Sequence, residues 1–186
     1  MGDDAPMRSL ALRSAAALAA AALCLGAAAS DPLADLLRRS DGAVLGHVRQ
    51  REVRAFPAPD GGELYFTVIR VEGTDLATGR VETIDVTFSG GFITETRGAH
   101  SSTAPPEDAT RVGRRVLAFH RHVPDIAEGF AGEALVDGDG GLFGWFPSRK
   151  GETIVQGRGR GAAIERNVRL PELRARAERD RAGGGR

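Results

Sequence analysis

Residues 63–72, ELYFTVIRVE, and 81–89, VETIDVTFS, decide the fold class. The first run is dense in β-branched and aromatic side chains, which suit a pleated, half-buried surface. The second alternates cleanly: Val81, Thr83, Asp85 and Thr87 fall on one face, Ile84, Val86 and Phe88 on the other. Alternation with period two marks a strand with one face on a core. Residues 74–80 read as the loop between them. Upstream, 43–56 interleaves Val44, Leu45, Val48, Val53 and Phe56 with Arg and Glu, and 57–62, PAPDGG, is a turn by composition. Downstream, Gly90-Gly91 break the strand. The stretch to Thr110 is the longest irregular segment and is expected to be mobile.

Further on, 115–123, RVLAFHRHV, reads as a fourth strand. Residues 131–136, the turn 137-DGDGG-141 and 142–146 read as a hairpin, and 153–156 as a last short strand. Ahead of the first strand, Asp31-Pro32 followed by Leu33, Leu36 and Leu37 predicts a short helix with one leucine stripe. Residues 171–181 predict a polar, arginine-rich surface helix. The expected architecture is mainly all-β: a small five- to seven-stranded antiparallel barrel, OB-like, with a short N-terminal helix and a C-terminal surface helix. Three segments are expected: a signal peptide over 1–29, the barrel domain over 30–157, and an Arg/Gly-rich linker with its helical tail over 158–186.

The signal peptide is read from 7-MRSLALR-13, the Ala/Leu run 14–25 and the small residues 26-GAAA-29. The apolar run falls short of the roughly 20 residues that a membrane span needs. Cleavage after Ala29 removes Cys24, the only cysteine. Leu23 before it is not the small residue that a lipidation signal wants. A cysteine-free mature chain has no disulfide, thiolate zinc site or cysteine nucleophile. The expected location is secreted or periplasmic. With 186 residues, 25 Lys+Arg and 25 Asp+Glu, the chain is one neutral domain. Neutrality argues against a general nucleic-acid binder or a polybasic membrane-surface protein.

Residues 36-LLRRSDGAVLGHV-48, 65-YFTVIRVE-72, 84-IDVTF-88 with Gly90-Gly91, and 112-VGRRVLAF-119 carry a resemblance. They resemble secreted bacterial proteins of unassigned function with a "SDxVVxGxV … VxVEExLKG … VxxxGG … GxxVLLFL" pattern. More distantly they are similar to the OB barrel of netrin-type modules and tissue inhibitors of metalloproteinases. The likeness covers about residues 33–120 and implies a five-stranded barrel with a flanking helix. It implies no catalytic residue. The inhibitors' mechanism needs an N-terminal, disulfide-anchored cysteine, and here Ser30 or Asp31 stands at the expected N-terminus.

Chemistry concentrates at few places. His120 and His122 share a strand face about 6.6 Å apart, at roughly 3.3 Å of rise per residue, and could share copper, nickel or zinc if other strands add ligands. The alternative is a pair of half-exposed polar residues where the strand leaves the core. Phe143 and Trp145 also share a face; exposed, they would form a stacking platform, and buried, they would fill the core. Residues 137–141 suit a tight turn better than a calcium loop, because the distal Glu is missing. The run 157-GRGRGA-162 lacks the βαβ context of a dinucleotide fold and reads as a solvated linker. G-x-S-x-G, H-E-x-x-H and S-x-x-K do not occur. The preferred expectation is an exported non-catalytic binding module for an envelope protein, peptide or glycan, with no resident cofactor. The alternatives are a periplasmic metal-binding protein and an unrecognised hydrolase using scattered Asp and His.

Overall fold

The computed structural model describes residues 31–183. The expected signal peptide and Cys24 lie outside the described residues. In chain order the elements are helix α1 (Pro32–Arg39), strands β1 (Gly42–Pro57), β2 (Glu63–Asp75), β3 (Val81–Ser89), β4 (Gly91–Phe92), β5 (Gly98–Ala99), β6 (Arg115–Ala127), β7 (Phe130–Leu135), β8 (Leu142–Pro147), β9 (Thr153–Val155) and β10 (Val168–Arg169), and helix α2 (Leu170–Gly183). Among the described residues no helix is long and apolar enough to cross a membrane.

Five strands close a barrel in the order β1-β2-β3-β7-β6, with β6 returning to β1. The OB-like barrel is therefore present, and it is mixed where a purely antiparallel one was expected. Val86 and Thr87 of β3 pair in parallel with Glu133 and Ala134 of β7, while the other neighbours are antiparallel. The reason is parity. Strand direction cannot alternate all the way around a ring of five, so at least one neighbouring pair must run the same way. Closure also demands tight crossings: a Cβ on Gly46 would lie 2.2 Å from the Glu72 carbonyl oxygen, and one on Gly73 2.1 Å from that of Leu45. Only glycine permits that approach of β1 to β2.

The barrel interior is filled by Val44, Val48, Ile69, Val71, Val86, Phe88, Val116, Ala118, Leu135 and Leu142. A second core lies outside the barrel wall. There Ala43, Leu45, Leu117, Phe119 and Phe143 turn the opposite faces of β1, β6 and β8 toward Leu33 and Leu36 of α1 and Leu173 and Ala177 of α2. β1 and β6 thus bury both faces along part of their length, which is why 115-RVLAFH-120 reads as a continuous apolar run.

One local expectation is corrected, and two segments gain detail. β7 and β8 do not form a hairpin; they flank β6, one on β6's outer half and the other near its start. The Asp137–Gly141 stretch is a 3₁₀ turn that carries the chain across β6, with Asp137 in the left-handed region at φ 54° and its carboxylate gripped by Arg39 of α1. The stretch after Gly90 is built into the fold: it forms the β4–β5 ladder and a 3₁₀ turn, Glu107–Thr110, and the Asp139 N–H donates to the Thr103 carbonyl at 2.6 Å. Finally, residues 158–183 carry the expected C-terminal helix, α2, and pack against the barrel wall. Arg158 and Gly159 N–H groups donate to the Ile164 and Glu165 carbonyls, and Ile164, Leu173 and Ala177 are buried in the outer core. A leucine on an otherwise charged helix is sufficient to anchor it when a groove waits on the barrel wall.

Candidate functional site

The two expected metal ligands converge on a residue that sequence reading missed. His120 and His122 sit on β6 opposite β7, and His122 pairs in register with Glu133. His120 Nδ1 lies 2.8 Å from Glu133 Oε2 and His122 Nδ1 lies 3.2 Å from Oε1. A carboxylate only accepts, so each ring places its Nδ1–H toward Glu133. His120 is almost covered; a Cβ on Gly42 would come within 2.7 Å of its Nε2. His122 stays exposed, while its backbone N–H donates to Asp41 Oδ2 at 2.7 Å.

This geometry sets what the pair can do. The two nitrogens of an imidazole point to nearly opposite sides of the ring. With both Nδ1 atoms engaged by one carboxylate, the Nε2 atoms are what the rings have left for another partner. Among the described residues no group of three or more His, Cys, Asp or Glu is arranged to hold a metal. Nearby, burial foremost and then Asp75 push the Glu82 carboxyl above its ordinary value, with His120 opposing. The other histidines are elsewhere. His47 stands edge-on to Trp145 at 5.5 Å, and His100 edge-on to Phe92 at 4.7 Å.

Phe143 is corrected as a surface residue. It is 1 % exposed and meets Phe119 edge-to-face in the outer core. Trp145, on the same face of β8, is half-buried and packed against that core. Its Nε1–H donates to the Gly46 carbonyl at 3.1 Å, and the Arg115 guanidinium sits over the ring at 5.1 Å from the centroid. Trp145 nonetheless borders an open groove of about 910 Å³. One wall is the Pro106–Ala109 turn region and the start of β6 at Arg114 and Arg115; the other is β8 with Phe146 and the chain at Arg158. The groove therefore joins two regions that the sequence singled out, the β8 aromatics and the segment after Gly90. Its arginines were not foreseen, because they lie on chain segments far apart in sequence.

A second, smaller cleft of about 250 Å³ runs between the end of β3 and the β6–β7 hairpin, with Phe66, Val123 and Ile126 among its walls. Beside it Phe56 stacks on Phe130 at 4.7 Å and meets Phe66 edge-on at 5.9 Å, with Arg54 over the Phe130 ring. This joins the β1–β2 and β6–β7 ends, the loops through which OB-type barrels take up ligands. Here the aromatic stack ties those loops together. No family model, curated protein or solved structure matches the chain.

Proposed function

We propose that the chain is an exported, non-catalytic binding module of the cell envelope, and that it receives a protein, peptide or glycan in the Trp145 groove. One observation carries the reading: an open groove of about 910 Å³, lined by Trp145, Phe146 and three arginines, sits on a wall held rigid by two cores. That size falls within the roughly 300–1,000 Å³ of ligand sites. The leader-like first 29 residues support export.

The test is capture from envelope extract by the tagged full chain, beside a Phe146→Arg variant that blocks the groove from an exposed position. A protein, peptide or glycan retained by the parent and lost by the variant is the expected result. If neither form retains anything, and the parent's tryptophan emission is unchanged by concentrated extract, the binding-module reading is wrong.

A further inference from the structure

We infer that the groove selects an acidic peptide segment and that Arg115 is the residue that reads its carboxylates. The inference rests on the binding-module reading above and names the ligand class of that site.

The electrostatics are local. Three guanidiniums (Arg114, Arg115 and Arg158) line the groove against two carboxylates, Asp108 and Asp139, leaving one positive charge in a chain of zero net charge. Two of the three are already held. Arg111 and Arg114 share Asp108, with Arg114 Nε also donating to the Asp108 carbonyl at 2.7 Å, and Arg158 grips both the carboxylate and the carbonyl of Asp139. Arg115 has no ion pair among the described residues and lies on the Trp145 indole.

That stacking decides between ligand chemistries. A neutral sugar needs a bare aromatic face. Here the indole N–H is bonded to Gly46, its neighbour is the edge of His47, and one face lies under Arg115. What the groove presents is a guanidinium whose orientation the ring restrains, which suits bidentate capture of a carboxylate. His47 adds no competing positive charge at neutral pH, because burial, then Arg49 and Arg115, lower its pKa. Phe146, 39 % exposed beside these cations, supplies an apolar contact for a peptide side chain next to the carboxylate site.

Trp145 is the only tryptophan, so its emission reports from the groove itself. The full chain is titrated with a synthetic peptide of alternating Glu and Leu, its Gln-for-Glu counterpart, and an oligogalacturonate. The Glu peptide is expected to shift the emission, to bind at least tenfold more tightly than the Gln peptide, and to weaken on raising salt. Arg115→Gln is expected to lose at least tenfold in affinity at an unchanged melting temperature, and Arg115→Lys to recover part of that loss. Equal binding of the Glu and Gln peptides, or an unchanged affinity in Arg115→Gln, overturns the inference while a captured envelope partner leaves the module standing. Tighter binding of the oligogalacturonate transfers the groove to a glycan. Silence of every probe together with an empty capture sinks both readings.

Discussion

The barrel interior and the core outside its wall are built from different side chains in different ways. Inside, Val44, Val48, Val71, Val86, Val116 and Ile69 dominate, β-branched residues from strands that alternate in and out. Outside, Leu33, Leu36, Leu45, Leu117, Phe119, Phe143 and Leu173 meet from two helices and the reverse faces of three strands. A regular surface takes stiff, compact side chains; an irregular gap between helix and strand takes longer ones that reach. The difference matters for function, because β8 belongs to both. Leu142 enters the barrel, Phe143 and Trp145 enter the outer core, and Phe146 with the accessible part of Trp145 is the aromatic surface that β8 leaves for the groove.

The sharpest way to break this comparison is to cut one residue from each core. Ile69→Ala inside the barrel and Leu173→Ala on α2 should each cost about 2–5 kcal/mol, because both side chains are fully buried. Denaturant unfolding should show one shifted transition in each case. An unmoved midpoint in Leu173→Ala would show that α2 is a loose tail and that the outer core ends at the barrel wall.

A smaller effect is expected at the seam where β7 closes the barrel. Glu133→Ala strips both imidazoles of their acceptor, and His120 is almost fully buried, so the loss should be about 1–3 kcal/mol. Copper, nickel or zinc ions should leave the parent's melting temperature unchanged, since Glu133 already engages both Nδ1 atoms and a metal site ordinarily needs three or four ligands. Near-stoichiometric metal in the purified chain, lost in the His120→Ala/His122→Ala variant, would instead make the seam a ligand set.

The smallest effect lies farthest from either core, on exposed Glu63 at the start of β2. Arg97, and after it the Tyr65 hydroxyl, hold its carboxyl down to about 2. A depressed folded-state pKa contributes stability that is complete above the ordinary value near 4.5 and is lost as pH falls toward 2. Glu63→Gln should lower the melting temperature slightly at neutral pH, change almost nothing near pH 2, and so flatten the acid limb between the two. A slightly larger loss at pH 7 than at pH 2.5 is the expected sign, and it stays small because the pair is exposed. Equal losses at both pH values would remove the ion pair from the account.

Much of the fold is legible along the chain because a strand with one buried face must alternate. VETIDVTFS places Val86 and Phe88 inward, and Leu33 and Leu36 at helical spacing mark the buried stripe of α1. The candidate site was legible only in pieces. Trp145 and the segment after Gly90 could be picked out, but Arg115, Arg158 and Glu133 look like any other surface charges until their partners arrive from other strands.

By itself the sequence determined the local conformations: the strands, the helix at the start, the turns at Gly90-Gly91 and 57–62, and the neutral charge that argues against general nucleic-acid binding. Those follow from side-chain periodicity and backbone preference, which act between near neighbours. Only the tertiary structure decided that β7 lies parallel to β3, that β8 leaves β7 for the far side of β6, that Phe143 is covered, and that Arg115 rests on Trp145. Each of these depends on which strand edge meets which. That choice is made by closing a five-stranded ring and covering both sides of its wall, a constraint on the whole chain that no local window of sequence contains.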